Sequence, residues 1–163
     1  MLTVDPNHAP CPGAAFTDLP PCDTPEHAAI DWAIEAGVTN GTSSSTFSPD
    51  KAVTRGQAVT FLWRACGSPE PTTEENPFTD VKEGSYCYKA VLWANENNVT
   101  NGTSATTFSP NRTCTRGHIL IFLWRQQGSP AASEELMVPY ADCTRVSTVL
   151  FLFRAVTGQG RLS

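Results

Sequence analysis

The sequence predicts an all-α, mainly helical fold made of tandem helix–loop–helix repeats, the third of them incomplete. The first observation behind this prediction is a repeat, because the pattern of residues 16–67 recurs in residues 78–128. Trp32 and Arg64, for example, recur 61 positions later at Trp93 and Arg125. A fixed period of this kind is typical of architectures in which neighbouring units complete one another's core. The second observation is an apolar spacing typical of amphipathic helices within each repeat.

Each full repeat opens with an amphipathic helix. The apolar face in the first repeat follows i, i+3, i+4, i+7 spacing and comprises Ala29, Trp32, Ala33 and Ala36. The corresponding face in the second repeat comprises Tyr86, Ala90, Trp93 and Ala94. Gly37 is expected to end the first of these helices, and the Asn97-Asn98 pair the second.

A polar loop and a second helix follow. The loop starts with Asn40-Gly41 or Asn101-Gly102, a pair that supplies the positive φ of a tight turn, and ends in a Phe-Ser-Pro anchor with a buried Phe. Thr54-Arg55-Gly56-Gln57 fits a capping box, with Thr54 as N-cap and Gln57 returning a hydrogen bond. Thr115-Arg116 begins the same helix in the second repeat.

The repeats and the Pro-, Ser- and Glu-rich stretches between them divide the chain. We assign residues 1–15 to an N-terminal extension, 16–68 to repeat 1, 69–77 to a linker and 78–129 to repeat 2. A second linker covers 130–139, a truncated third repeat 140–158 and a tail 159–163. The third repeat keeps Thr144-Arg145 and an apolar second helix but lacks the first helix and the Gly loop.

Composition excludes several classes of partner. The formal net charge is −5 and there is no basic run, which argues against nucleic acid. No apolar run is long enough to insert into a membrane, and the first residues do not have the pattern of a signal peptide, so we expect a mature form or a fragment. The cysteines include no Cys-x-x-Cys pair, and His8, His27 and His118 show no ligand spacing, so neither metal nor cofactor is expected.

Two cysteines of the second repeat predict a disulfide. Cys87 and Cys114 correspond to Glu26 and Val53 one period earlier, so the first repeat lacks both, as expected if the two pair. A Cys87–Cys114 disulfide would imply an oxidising compartment. The alternative is two independent buried thiols.

The other cysteines do not predict a connectivity. Cys11, Cys22, Cys66 and Cys143 can pair in three ways, and the sequence does not choose among them.

The combined motifs resemble those of S-layer homology repeats. The second repeat reads Phe78-Thr79-Asp80-Val81, Trp93-Ala94, Asn101-Gly102, Phe108-Ser109-Pro110 and Thr115-Arg116. The resemblance implies second helices packed in a pseudo-threefold bundle, a place on the bacterial cell surface, and non-covalent attachment to a secondary cell-wall polysaccharide, often pyruvylated. This chain has Gly-Gln, Gly-His or Val-Ser where the family's Thr-Arg usually continues with Ala-Glu.

The candidate ligand-binding residues combine this resemblance with the chemistry of a helix start. Free N–H groups and the positive end of the dipole favour an anion there, and an arginine adds a planar fork suited to a carboxylate. The candidates are Arg55, Arg116 and Arg145 with Thr54 and Thr115 at the helix starts, Asp18 and Asp80 for sugar hydroxyls, Trp32 and Trp93 for stacking, and Gly41 and Gly102 for close approach of a sugar. The alternatives are a solvated arginine, a threonine that only caps, core tryptophans, aspartates that cap the turn before the first helix, and glycines that serve the turn.

Three classes of function compete. The leading prediction is a non-catalytic extracellular module that binds an acidic or pyruvylated cell-wall polysaccharide to anchor a surface protein. The alternative is a structural or protein-interaction module, since the incomplete third repeat leaves apolar surface for self-association. An enzyme is not expected, because no Ser-His-Asp or Cys-His set recurs at a meaningful spacing.

Overall fold

The computed structural model describes residues 16–129 and residue 144. In this part of the chain there are four helices and no strand: α1 (Pro25–Glu35), α2 (Arg55–Ala65), α3 (Tyr88–Glu96) and α4 (Arg116–Gln126). The all-α prediction is therefore confirmed. The second helix of the third repeat lies outside the described residues, as do Arg145, Cys11 and Cys143, so the pseudo-threefold bundle stays a prediction.

Helix α1 forms where the apolar spacing predicts it. Thr24 is the N-cap, its side chain accepts a hydrogen bond from His27 N at 3.3 Å, and Pro25 occupies the first turn, where its missing N–H costs nothing. Ala29, Ile30 and Ala33 are fully buried. The helix ends at Glu35 and Gly37 follows with φ +67°, as the sequence indicates.

Helices α2 and α4 begin with the predicted threonine caps. The hydroxyl of Thr54 accepts from Gln57 N at 3.3 Å while the Gln57 side chain accepts from Thr54 N at 3.0 Å, which confirms the capping box. Thr115 makes the same reciprocal pair with His118, whose Nδ1 accepts from Thr115 N at 3.3 Å. Gln and His therefore take over the capping role that a family Glu would have.

Helix α3 starts later than the apolar spacing suggests. It begins at Tyr88, and Tyr86, which we assigned to its buried face, precedes the helix with 58% of its surface exposed. Gly84 in the turn before it has φ +81°, a conformation that suits glycine, so the chain is still turning there. The other predicted residues, Ala90, Trp93 and Ala94, are buried as expected, and Val91 and Leu92 are buried with them.

The described chain forms two compact units, and their boundary differs from that of the sequence repeats. One unit holds α1 and the loop up to Lys51, whereas the other begins at Ala52 and holds α2, α3 and α4. Within the second unit α2 packs on both α3 and α4. An antiparallel bridge between Thr54 and Thr113, with Cys114 N donating to Val53 O at 2.8 Å, joins the start of α2 to the segment before α4.

The predicted disulfide is not formed in this structure. Both Cys87 and Cys114 are present as buried thiols, as in the alternative to a disulfide. Cys87 Sγ lies in the contact between α3 and α2, 3.9 Å from Ser85 Oγ and close to Gly56. Burial raises the pKa of Cys87, so the thiol rather than the thiolate is favoured there.

Two further findings concern membranes and metals. None of the described helices is long and apolar enough to cross a bilayer. Across residues 16–129, no three His, Cys, Asp or Glu side chains come together in a way that could hold a metal ion.

Candidate functional site

The start of α2 differs from the open anion site that the sequence suggests. Arg55 N donates to Arg112 O at 2.8 Å and Gly56 N donates to Pro110 O at 2.9 Å. The third N–H, that of Gln57, is taken by the Thr54 hydroxyl. Since the first three N–H groups are already hydrogen-bonded, the backbone of this helix start offers no donor to an anion.

The Arg55 side chain turns inward rather than into solvent. It is 3% exposed, its Nε donates to Phe108 O at 3.0 Å, and its guanidinium carbon lies 4.9 Å from the ring centroid of Phe108 and 5.4 Å from that of Phe122. Nη2 is buried and has no hydrogen-bond partner in the structure described here. Burial lowers the pKa of Arg55, yet the group stays protonated, so an unsatisfied charged donor remains inside the second unit.

The aspartates of the Phe-x-Asp motif hold the loops. The Asp80 carboxylate accepts from Phe108 N at 2.8 Å and from Ser109 N at 2.7 Å. In the first unit Asp18 accepts from Phe47 N and Ser48 N, both at 2.8 Å. The sequence predicted that these aspartates bind sugar hydroxyls or cap the turn before the first helix, and neither interpretation describes this role.

The Asp18 bonds have an electrostatic consequence. The N–H of Phe47, assisted by that of Ser48, holds the pKa of Asp18 below its ordinary value, although its partial burial acts in the opposite direction. The ionised carboxylate is therefore the form that holds this loop.

The loop glycines serve the turn, as the alternative proposed. Gly41 and Gly102 have φ +77° and +79°. A Cβ on Gly102 would lie 2.5 Å from the Phe78 ring and 2.5 Å from Thr107 O, and a Cβ on Gly41 would meet the Phe16 ring at 2.7 Å. The space beside each glycine is thus filled by the protein's own phenylalanine.

The remaining candidates lie in different places. Trp93 is 7% exposed and belongs to the core of the second unit, whereas Trp32 is half-buried on α1 in the first unit. Arg116 is the first residue of α4, as Arg55 is of α2. The structure therefore brings Arg55 and Asp80 together around Phe108, with Thr54 one residue before Arg55, while Asp18, Trp32 and Gly41 belong to the other unit.

A cleft in the second unit, which we call the α2–α3 cleft, presents a different set of residues. It encloses about 850 Å³ between the end of α2, the 69–77 linker, the turn before α3 and α3 itself. Its aromatic residues are Trp63, Tyr86 and Tyr88, and its charged residues are Glu70, Glu74, Glu83 and Lys89. This volume suits a ligand the size of a short oligosaccharide.

One end of the cleft reaches the start of α2. The Tyr86 hydroxyl lies 3.4 Å from Thr54 Oγ1, and a Cβ on Gly56 would be only 2.6 Å from it, so this end of Tyr86 is pressed against the helix. Burial of this end raises the pKa of Tyr86, so the phenol stays protonated at neutral pH. More than half of the surface of Tyr86 nevertheless remains exposed.

Sequence reasoning missed the cleft because it searched for what the repeats share. One period before Tyr86 and Tyr88 stand Pro25 and His27, so the aromatic pair occurs in the second repeat alone. The Gly84-Ser85 turn just before Tyr86 was the signal that could have placed this ring outside the helix.

Comparison with known proteins gives consistent results. The profile of the family described as S-layer homology domain matches residues 15–59 and 77–120. The chain is 32% identical over 121 residues to a surface-layer 125 kDa protein of Lysinibacillus sphaericus, an alignment that covers 72% of this chain and 10% of that protein. It is 33% identical over 119 residues to an endoglucanase of Bacillus sp. (strain KSM-635), covering 70% and 12%, respectively.

A third relative has the same character. A cell surface protein of Thermoanaerobacter kivui is 27% identical over 117 residues, with 69% of this chain and 15% of that protein aligned. The chain thus spans between a tenth and about a seventh of the length of these relatives. The profile covers more than half of the chain and begins each match within one residue of the repeats at 16 and 78. The chain belongs to the S-layer homology family.

Proposed function

We propose that this chain is a non-catalytic module that attaches a bacterial surface protein to a cell-wall polysaccharide through the α2–α3 cleft. The observation that carries the proposal is the combination of one exposed and two half-buried aromatic side chains with polar side chains around one cleft of oligosaccharide size. Sugar rings stack on aromatic faces through their C–H surfaces, and their hydroxyls donate to carboxylates and accept from Lys. The family membership and the surface-layer relative support the cell-surface part of the proposal.

Tyr86 is the central contact in this proposal. Tyr86 keeps 58% of its surface exposed while its hydroxyl lies 3.4 Å from Thr54 Oγ1, so the side chain is both accessible and held at its hydroxyl end. A ring that is already ordered loses little side-chain entropy when a sugar stacks on it. Trp63 is also held, because its Nε1 donates to Pro69 O at 2.8 Å.

The finer part of the proposal is that the polysaccharide is acidic or pyruvylated. Three glutamates and one lysine surround the α2–α3 cleft, so its charge favours a neutral sugar there rather than the anionic group. Nη2 of Arg55 has no hydrogen-bond partner among the described residues, and a carboxylate would complete it once the side chain, now buried, turns outward. Arg116 and Arg145 are the corresponding residues of the sequence repeats. In this proposal Thr54 and Thr115 cap the helices that place these arginines.

Sedimentation with isolated cell walls tests the main proposal. The chain should sediment with sacculi of Lysinibacillus sphaericus that carry their polysaccharide and should stay in solution with sacculi stripped of it. Tyr86→Ala should weaken this association about tenfold or more, because truncating an aromatic residue at the centre of a binding site costs about 2 kcal/mol or more. Trp124→Ala is the matched control, because Trp124 is 46% exposed on α4 and does not line the cleft. Equal sedimentation with stripped sacculi would refute the proposal.

A second experiment tests the nature of the glycan. Replacing Arg55 and Arg116 together by Ala should abolish binding to a pyruvylated polymer, provided that circular dichroism shows the helices intact. Removing the pyruvate from the polymer should have the same effect on the unchanged protein. Undiminished binding in both cases would confine recognition to neutral sugars in the cleft.

A further inference from the structure

The linker between the two full repeats is bound to the second unit along its length. Trp63 Nε1 donates to Pro69 O at 2.8 Å, and Lys89 Nζ lies 2.7 Å from Glu70 Oε1. At its far end Asn76 Oδ1 accepts from Phe78 N at 2.9 Å. A stretch with the composition of a flexible spacer is therefore part of the folded surface.

The middle of the linker is held by one carboxylate. Glu96 Oε2, in the last turn of α3, accepts from Thr72 N at 2.8 Å and from Thr73 N at 3.2 Å. The bond from Thr72 N, together with that from Thr73 N, lowers the pKa of Glu96 and favours the charged acceptor. The Lys89–Glu70 pair also joins the linker to α3, but an ion pair in solvent contributes little.

The same stretch forms one wall of the α2–α3 cleft. Glu70, Pro71, Thr73 and Glu74 line the cleft, so Thr73 contacts both the cleft and the Glu96 carboxylate. Glu96 itself does not line the α2–α3 cleft, but lines a second hollow that shares Thr73 with the cleft. Its effect on a ligand in the cleft must therefore be transmitted through the linker.

We propose that Glu96 is a positioning residue that fixes the linker as a wall of the α2–α3 cleft and thereby sets its affinity for glycan. This inference rests on the proposed function of the cleft. Without the carboxylate, two backbone N–H groups return to water and residues 71–74 gain conformational freedom, which a ligand must then remove. Ordering one backbone residue costs roughly a factor of ten in affinity, so we expect at least a tenfold loss.

The first repeat supplies a matched control. Glu35 stands one period before Glu96 at the corresponding end of α1, is exposed, and accepts no backbone hydrogen bond among the described residues. The variants to compare are Glu96→Ala, Glu96→Gln and Glu35→Ala. The Glu96→Gln variant keeps a neutral acceptor oxygen, so it should recover part of the lost affinity.

Two measurements on the whole chain test the inference. Hydrogen exchange should show that Glu96→Ala exposes the amides of Thr72 and Thr73 while the amides of α2 and α3 stay protected. Sedimentation with polysaccharide-bearing sacculi of Lysinibacillus sphaericus should show a loss of about tenfold for Glu96→Ala, a smaller loss for Glu96→Gln and none for Glu35→Ala.

The outcomes separate this inference from the proposed function. Unchanged exchange at Thr72 and Thr73 overturns the positioning role, whatever the sacculi bind. Full binding by Glu96→Ala, with the unchanged protein also bound, overturns the inference and leaves the proposed function standing. Failure of the unchanged protein to bind overturns the proposed function, and with it the effect of Glu96 on affinity.

Discussion

Replacing Asp80 by Asn or Ala tests how the loop of the second repeat is held. The carboxylate accepts from Phe108 N and Ser109 N, and Phe108 O in turn accepts from Arg55 Nε. Asp80, Phe108 and Arg55 thus form a series of hydrogen bonds in which the aspartate fixes the residue that holds the arginine. Loss of the carboxylate should destabilise the second unit and also release the Arg55 side chain.

The magnitude follows from the geometry of the two bonds. A hydrogen bond to a charged group contributes about 1.5–3 kcal/mol, and the bond from Ser109 N is exposed while that from Phe108 N is partly buried. We therefore expect Asp80→Ala to lower the free energy of unfolding by about 3 kcal/mol. Asp80→Asn keeps one acceptor oxygen and should cost about half as much.

Urea unfolding followed by circular dichroism and by tryptophan fluorescence measures this free energy. Asp50→Asn is the control, because Asp50 is an exposed loop carboxylate. It should change the free energy of unfolding by less than about 0.5 kcal/mol. A change of that small size for Asp80→Ala would refute the reasoning, since two charged hydrogen bonds cannot be lost at so little cost.

Three further predictions concern the loop, the second cap and the buried arginine. Gly102→Ala should lower the free energy of unfolding by more than about 1–3 kcal/mol, because φ is +79° and the new Cβ meets backbone atoms. In Gly84→Ala the new Cβ meets no atom within 4 Å, so this variant should lose only the energy of its strained φ. Denaturant unfolding measures both free energies. Burial and the charges of neighbouring arginines lower the pKa of His118 below 6.5, so the free energy of unfolding should fall as the pH drops through that value. His118→Gln, which copies the Gln57 cap, should remove this dependence. A difference in unfolding free energy between the variant and the unchanged protein that does not vary with pH would contradict the prediction. Arg55→Lys keeps a charge but loses the fork, and should weaken sedimentation with sacculi; unaltered binding would limit the guanidinium to a packing role.

The sequence predicted elements well where local chemistry decides them. The Thr54 and Thr115 caps and the end of α1 near Gly37 occur where expected, because each depends on neighbours in sequence. The anchors Phe47 and Phe108 are buried as expected, although the rings they contact lie about 30 positions away. Contacts between residues of different repeats could not be predicted from the sequence. The bonds from Arg55 N and Gly56 N to Arg112 O and Pro110 O close the start of α2, and they join residues more than 50 positions apart.

The candidate site shows the same division. The repeat correctly marked Asp80 and Gly102 as functional or structural positions, but it did not predict their roles. Their partners, Phe108 N and the Phe78 ring, are brought to them only when the loop folds back. Tyr86 was assigned to a buried face because its spacing to Ala90 fits a helix. The turn at Gly84 delays the helix by two residues and leaves the ring in the cleft.

The central claim is that a cell-wall polysaccharide binds in the α2–α3 cleft. Titrating isotope-labelled chain with polysaccharide released from sacculi, and following each backbone amide by NMR, tests this most directly. The account predicts saturable shifts at the amides of residues 83–86 and at Thr73, with the amides of α1 unchanged. Saturable shifts confined to residues outside the cleft, or no shift at any concentration, would contradict it.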